Sequence, residues 1–205
     1  MEKLTINDFQ AMLRKALEKI SERADEFSKL DAILGDGDHG TAIVQAMSVI
    51  VESSEKGTEF DQMLSDMGMN VMMQISGSTS TLLGGFFLGM SDALPSGLTE
   101  LDAAQVKALF AGGLAGVQKQ TKAKQGDKTM MDALIPAVEA IQATPGNDIK
   151  VILQAGAEAA LKGAEETVNM KANFGRARNY GERSIGYADS GACSWSCMFD
   201  AFAKA

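Results

Sequence analysis

Three aspartates, Asp31, Asp36 and Asp38, and the only histidine of the chain, His39, lie within one short glycine-rich segment. Carboxylates this close to one another repel in a folded protein unless a cation offsets their charge. Hard oxygen ligands, with one imidazole and no cysteine nearby, select magnesium, manganese or calcium. The segment therefore predicts a site for a divalent metal ion.

Two familiar glycine-containing motifs do not fit this segment. Its glycines satisfy the letter pattern of a dinucleotide-binding turn, but no predicted strand precedes them and bare carboxylates would repel a pyrophosphate. A calcium-binding EF-hand loop opened at Asp36 would place Met47 where the bidentate glutamate belongs. The remaining interpretation is a metal and phosphate site on a loop before a helix that begins near Thr41. The alternative is that the aspartates are solvated caps and turn formers.

A second loop, Ser76–Thr81, enters a helical pattern with several hydroxyl groups and a glycine. Free backbone N–H groups and the helix dipole at such a start bind anions, so this loop is a candidate phosphate site. A flexible turn rich in serine and threonine is an equally ordinary interpretation.

The third loop, Gly175–Gly191, runs for about seventeen residues without a helical period, and loops of this length are often functional. Its arginines, Arg176, Arg178 and Arg183, could each pair with a phosphate through two hydrogen bonds. They could equally bridge carboxylates, and Glu182 beside Arg183 suggests one such surface pair.

The elements that must position these loops are helices. Apolar residues recur at steps of three and four along the chain, whereas no segment alternates apolar and polar residues as a half-buried strand would. We predict an all-α fold of about eight amphipathic helices in one domain, residues 1–205, with Asn7 or Asp8 capping the first helix and Thr99 the fifth. The predicted helices cover Phe9–Ile20, Ile43–Val51, Phe60–Val71, Leu82–Met90, Thr99–Val117, Met130–Ile141, Ile149–Val168 and Ala192–Phe202.

Composition excludes several classes of partner. The net charge of -8 argues against binding to a nucleic-acid backbone or an anionic membrane surface, since both need a cationic face. No apolar run approaches the roughly 20 residues of a membrane span, and no signal peptide is recognisable, so we expect a cytoplasmic protein. Cys193 and Cys197, four residues apart, are expected to be reduced, packed thiols on one helix.

Four motifs in the same order along the chain resemble the DhaL family, the nucleotide-binding L subunits of dihydroxyacetone kinases. The motifs are Leu30–Gly40, Gly126–Met130, Gly175–Ala177 and Gly181–Gly186. The resemblance covers nearly the whole chain. It implies an antiparallel barrel of eight helices with the nucleotide at one end.

The resemblance also implies roles for individual residues. Asp31, Asp36 and Asp38 would ligate two Mg²⁺ ions that bridge the phosphates of ADP or ATP, with no catalytic residue beyond this metal site. The implied nucleotide contacts are His39, Thr41, Gly77, Ser78, Thr79, Met130, Arg176, Asp189 and Gly191. The implied reaction is phosphoryl transfer to a small ketose held by a separate DhaK-type subunit, in some cases with a DhaM-type phosphocarrier that recharges bound ADP.

The sequence departs from the family pattern in its nucleotide loops. Ser76–Thr81 replaces a glycine- and proline-containing run, Ala42 replaces an asparagine, and Tyr187–Gly191 replaces a run that begins with histidine. These changes leave open the identity of the bound nucleotide and of the acceptor. Two rival functions also stay open, a regulatory paralogue without catalysis and a stand-alone metal-dependent phosphohydrolase.

Overall fold

Nine α-helices make up most of the computed structural model, which describes residues 1–205. Strands are limited to β1 (Leu4–Thr5) and β2 (Glu100–Leu101), which pair antiparallel, and two 3₁₀ helices cover Thr167–Asn169 and Arg176–Ser184. The predicted all-α class is confirmed. The helices are α1 (Ile6–Glu22), α2 (Ala24–Leu34), α3 (His39–Ser54), α4 (Phe60–Gln74), α5 (Ser78–Asp92), α6 (Ala103–Gln120), α7 (Met131–Ala143), α8 (Ile149–Glu166) and α9 (Ser190–Ala203).

Two helices begin with a reciprocal capping box. The Thr5 hydroxyl accepts a hydrogen bond from the Asp8 N–H, and the Asp8 carboxylate accepts from the Thr5 N–H, while Asp102 starts α6 in an equivalent way. Each box satisfies backbone donors that the first helical turn leaves free. The predicted caps, Asn7 or Asp8 for α1 and Thr99 for α6, are therefore wrong.

The helix that sequence periodicity missed is α2. Only Phe27 and Leu34 are buried along its 11 residues, so it has no continuous apolar stripe to recognise. Arg23 occupies its N-cap position without making a side-chain cap hydrogen bond. Because α2 extends to Leu34, Asp31 lies in its last helical turn. The sequence had indicated a loop at this position.

A connected core of 49 buried residues holds the helices together. Packing runs from α3 through α4, α5, α6, α7, α8 and α9 to α1, and α1 returns to α3, while α2 packs against α3 and α9. This closed circuit supports the antiparallel barrel, which stays a prediction. The starts of α3, α5, α7 and α9 and the ends of α2 and α6 gather around one cleft.

None of these helices combines the length and the apolar character needed to cross a bilayer. Cys193 and Cys197 lie on α9, as predicted, and both are free thiols. Burial raises the pKa of Cys193 to about 11 and also raises the pKa of Cys197. Since the thiolate is the reactive form, both residues act as small packing side chains.

Candidate metal and phosphate site

A cleft of about 710 Å³ lies where α3, α5, α7 and α9 begin. It joins separate segments of the chain between Leu30 and Trp195, so the fold and not sequence proximity creates it. Thr41 is exposed on the first turn of α3 and does not line the cleft, and its role stays a prediction. The other predicted site residues all line it: Asp31, Asp36, Asp38, His39, Gly77, Ser78, Thr79, Met130, Arg176, Asp189 and Gly191.

The acidic cluster consists of Asp31, Asp36 and Asp38, each of which contributes a carboxylate oxygen within 4.8 Å of the others. Asp31 comes from the last turn of α2, and its Oδ2 accepts a hydrogen bond of 2.8 Å from the Gly37 N–H. Gly37 has a φ of 79°, which a side chain would oppose, so the turn between the other two aspartates depends on glycine. The structure thus brings all three carboxylates together.

The chemistry of the cluster fits a divalent cation. Asp38 occupies the N-cap position of α3, where an aspartate ordinarily accepts from the first helical turn, but its side chain makes no cap hydrogen bond. Asp36 forms an ion pair with Arg176, and both side chains are about half exposed or more, at 46% and 68%. One guanidinium leaves most of the acidic charge uncompensated. An all-oxygen donor set of this kind suits Mg²⁺.

The N-terminus of α5 lines the same cleft as the acidic cluster. Gly77 is the N-cap residue with a φ of 114°, and no side chain caps this helix start. The Ser80 and Thr81 hydroxyls donate back to the Gly77 carbonyl oxygen, at 2.9 and 3.0 Å. The hydroxyls of Ser78 and Thr79 and the N–H groups of the first turn are left for an anion, as the sequence had suggested.

The arginine-rich loop contributes one of its three arginines to the cleft. Arg176, at the start of the second 3₁₀ helix, lines the cleft, whereas Arg178 and Arg183 do not. Glu182 pairs with Lys171 at 3.2 Å, so the predicted surface pair between Glu182 and Arg183 is wrong. The loop also carries 3₁₀ turns that period analysis for α-helices does not detect.

Lys128 is a residue whose role sequence reasoning missed. It is 1% exposed and is the only non-glycine residue with a positive φ, at 59°. Its ammonium group donates to the carbonyl oxygens of Thr167, Met170 and Tyr187, at 2.6, 3.1 and 2.5 Å. Burial lowers the pKa of Lys128, while the negative charges of two neighbouring aspartates raise it. We call Lys128 and these three carbonyls the lysine clasp.

The turn that carries Lys128 is organised by Asp132. The Asp132 carboxylate accepts from the Gly126 N–H at 2.6 Å and from the Thr129 N–H at 2.8 Å. Met130 is the N-cap residue of α7 and is 6% exposed at the cleft wall. The polar residues of this motif thus fix the backbone, and the methionine presents an apolar surface to the cleft.

Asp189 connects the lysine clasp to the start of α9. Its carboxylate accepts from the Ala192 N–H at 2.7 Å, and its own N–H donates to the Thr167 hydroxyl at 2.9 Å. Burial raises the pKa of Asp189 to about 7; the hydrogen bond from Ala192 and the charge of Lys128 oppose this rise. Asp189 lines the cleft, and its hydrogen bonds to Thr167 and Ala192 fix its position there.

His39 reaches a partner distant in sequence. Its Nε2 lies 2.8 Å from the hydroxyl oxygen of Ser194 on α9, and its ring meets Phe27 edge-on with 6.5 Å between centroids. Burial lowers the pKa of His39, and the negative charge of Asp31 opposes this change. The imidazole nitrogens are not part of the acidic cluster.

Known proteins are similar in sequence to this chain along most of its length. The DAK2 domain family matches residues 33–204. The chain is 33% identical to the "PEP-dependent dihydroxyacetone kinase 1, ADP-binding subunit DhaL" of Listeria innocua serovar 6a, over 90% of this chain and 88% of that one. It is 32% identical to the "PEP-dependent dihydroxyacetone kinase, ADP-binding subunit DhaL" of Escherichia coli (strain K12), over 90% of each chain.

A solved structure shares the fold as well. The dihydroxyacetone kinase from C. freundii, in complex with AMP-PNP and Mg²⁺, matches with a TM-score of 0.74 and 27% sequence identity. The match covers 95% of this chain and 33% of the kinase chain. The chain described here thus corresponds in fold to about one third of that larger protein.

Proposed function

The chain belongs to the DAK2 domain family, and from this premise we propose that it is the nucleotide-binding subunit of a dihydroxyacetone-type kinase. In this proposal it binds magnesium ADP or ATP and takes part in phosphoryl transfer to a small ketose. The observation that carries the proposal is the meeting, in one cleft, of the acidic cluster with the uncapped N-terminus of α5. These are complementary to metal ions and to phosphates.

Each wall of the cleft has a part in this function. Asp31, Asp36 and Asp38 would hold two Mg²⁺ ions, which supply positive charge against the phosphates. The N–H groups of the first turn of α5 and the guanidinium of Arg176 are suited to hold phosphate oxygens. The proposed contacts to the rest of the nucleotide come from residues of the other walls and of α3: His39, Thr41, Gly77, Ser78, Thr79, Met130, Asp189 and Gly191.

The proposed reaction needs a second protein to hold the ketose. The two bacterial relatives are described as subunits. In the C. freundii kinase, about two thirds of the chain lies outside the part that matches this protein. Exposed apolar side chains lie at or beside the cleft, where a partner would cover them: Phe174 lines it, and Ile33 and Tyr187 adjoin residues that do. We propose a DhaK-type subunit as this partner.

The donor of the phosphoryl group is proposed from the relatives. Those from Listeria innocua and Escherichia coli are described as PEP-dependent, and that from Lactococcus lactis as PTS-dependent. A DhaM-type phosphocarrier that recharges bound ADP is therefore our proposed third component. Free thiols persist in a reducing compartment, and both cysteines of this chain are free, so we propose that the protein acts in the cytoplasm.

Calorimetry tests the binding step. We expect ADP to bind in the presence of Mg²⁺ and to lose most of its affinity when a chelator removes the ion. Asp36→Ala and Asp38→Ala should each abolish the effect of Mg²⁺, because each removes a ligand. Asp25→Ala is the matched control, since Asp25 is an exposed carboxylate on α2 outside the cleft. Binding that is unchanged in the Asp36 and Asp38 variants would refute the proposal.

An activity assay separates the proposed function from its two rivals. The isolated chain should show negligible turnover with phosphate esters, and phosphorylation of dihydroxyacetone should need an added DhaK-type subunit. Hydrolysis by the chain alone, abolished by Asp38→Ala, would instead indicate a phosphohydrolase. Tight nucleotide binding without transfer to any short ketose, in the presence of the partner, would indicate a regulator.

A further inference from the structure

His39, which lines the cleft, meets Ser194 of α9 although 155 positions separate them in sequence. The Ser194 hydroxyl oxygen lies 2.8 Å from His39 Nε2 and 3.0 Å from the carbonyl oxygen of Gly191, one turn earlier on α9. Ser194 has no exposed surface, so water does not provide an alternative partner for its hydroxyl. Both contacts must therefore be explained by the protein's own hydrogen atoms.

Counting hydrogen atoms gives one arrangement that satisfies both contacts. A carbonyl oxygen can only accept, and a serine hydroxyl has one hydrogen to donate. If Ser194 donates to Gly191, its oxygen is free to accept from His39, and both short contacts are hydrogen bonds. If Ser194 donated to His39 instead, its oxygen would face the Gly191 oxygen at 3.0 Å with no hydrogen between them, which is repulsive.

The proton of a neutral His39 ring therefore belongs on Nε2, and Nδ1 carries a lone pair. Nδ1 has no hydrogen-bond partner in the protein. Every buried side-chain nitrogen or oxygen in this structure does have a partner, so Nδ1 is not buried and is open to solvent. His39 lines the cleft. The edge of the Phe27 ring packs against the imidazole and limits its rotation.

From this geometry we propose that Ser194 is a positioning residue that fixes His39 with its proton on Nε2 and its Nδ1 lone pair towards the nucleotide. The proposal rests on the proposed function for the identity of the ligand. A lone pair repels ionised phosphate oxygens, so His39 must accept from a donor group. Because His39 directly follows Asp38 of the acidic cluster, we place this donor near the metal end of the nucleotide and away from the adenine amino group, which leaves an O–H group. In magnesium ADP such groups are the ribose hydroxyls and the water molecules on the metal ion.

Nitrogen NMR of the imidazole reads the tautomer directly. The chain has one histidine, so protein labelled with ¹⁵N-histidine gives a single pair of ring signals. At about pH 8, where an ordinary imidazole is neutral, we expect a protonated Nε2 and an unprotonated Nδ1. Ser194→Ala should shift this population towards the other tautomer. A proton on Nδ1 in the unmodified protein, or spectra that Ser194→Ala leaves unchanged, would overturn the proposal.

Calorimetry with magnesium ADP gives the functional readout. We expect Ser194→Ala to weaken binding by roughly three- to tenfold, which corresponds to one misaligned hydrogen bond. Ser196→Ala is the matched control, because Ser196 is also buried on α9 but makes no hydrogen bond to His39. Equal affinity in the Ser194 and Ser196 variants, at equal melting temperature, would overturn the proposal.

A dideoxy analogue of ADP distinguishes the two sources of the O–H group. If His39 accepts from the ribose, the loss caused by Ser194→Ala disappears with 2′,3′-dideoxy-ADP, and if it accepts from metal-bound water the loss persists. Failure of the proposed function has a different signature. Nucleotide would then not bind the unmodified protein at all, while the NMR spectrum would still report the proton on Nε2.

Discussion

The acidic cluster and the lysine of the clasp line the same cleft, but the two groups differ in how their charges are paired. The cluster holds three partly exposed carboxylates close together with one guanidinium as a partner. The clasp buries one ammonium group, and each of its three N–H bonds has a carbonyl acceptor. The acidic cluster keeps unused binding capacity, and the lysine clasp has none.

This difference separates a binding surface from a supporting one. Groups that the protein leaves incompletely paired gain most from an added ligand, whereas a buried charge must be paired internally or it destabilises the fold. The lysine clasp ties three separate backbone positions, at Thr167, Met170 and Tyr187, to the turn before α7. We infer that the cluster supplies affinity and that the clasp supplies geometry.

The largest expected effect comes from removing charge in the acidic cluster. The double substitution Asp36→Asn with Asp38→Asn should weaken the binding of magnesium ADP by at least about 100-fold, because ligands count for more than their supporting shell. The melting temperature of the metal-free protein should stay the same or rise, since like charges no longer repel. Calorimetry and thermal melts check both. A variant that melts well below the unmodified protein would show that the acidic cluster also stabilises the fold, as the lysine clasp does.

The second effect is on stability. Lys128→Met should lower the free energy of unfolding by about 2–4 kcal/mol, because three backbone carbonyls lose a charged donor in a buried place. Denaturation in urea measures the change. Lys124→Met, at an exposed lysine of the same loop, is the control and should stay within about 0.5 kcal/mol of the unmodified protein. Equal stability of the two variants would refute the supporting role of the clasp.

A smaller effect is expected at the arginine that faces the acidic cluster. Arg176→Ala should weaken the binding of magnesium ADP by about tenfold, the contribution of one charge-assisted contact. Arg178→Ala serves for comparison, since Arg178 lies two residues away and does not line the cleft. Calorimetry at two salt concentrations should show a weaker salt dependence for Arg176→Ala alone. Indistinguishable variants would remove Arg176 from the site.

The smallest effect concerns pH. The pKa of Asp189, about 7 in the folded protein, lies above its ordinary value near 3.9, so the folded state binds the extra proton between these values. This contribution to stability is present at low pH and is lost as the pH rises through about 7. Relative to the unmodified protein, Asp189→Asn should be more stable above pH 7, and this advantage should disappear as the pH falls to about 4. Urea denaturation across this range, without divalent ions, checks the sign; a constant difference would contradict it.

Local features of this molecule could be predicted from the sequence. The acidic cluster is one of them, because its three ligands lie within eight consecutive residues and a turn suffices to assemble them. The long helices are another, because their apolar stripes repeat with the helical period. The resemblance to the nucleotide-binding subunits of dihydroxyacetone kinases is confirmed by the DAK2 domain match and by the two bacterial relatives.

Features that depend on distant contacts could not be predicted. Lys128 is bonded to carbonyls 39 to 59 positions away, and backbone acceptors leave no trace in residue types. The pair formed by His39 and Ser194 likewise exists only because α9 packs near the start of α3. Helix α2 was missed for another reason, since it buries only two side chains and is held by its neighbours.

Paramagnetic resonance of Mn²⁺ tests the central claim, that the acidic cluster holds divalent ions for a nucleotide, most directly. The signal of free Mn²⁺ counts the ions bound per chain. We expect two ions per chain in the presence of ADP, weak binding in its absence, and loss of both ions in the Asp36→Asn, Asp38→Asn double variant. Undiminished Mn²⁺ binding by that variant, or no effect of ADP on the number of ions bound, would contradict the account.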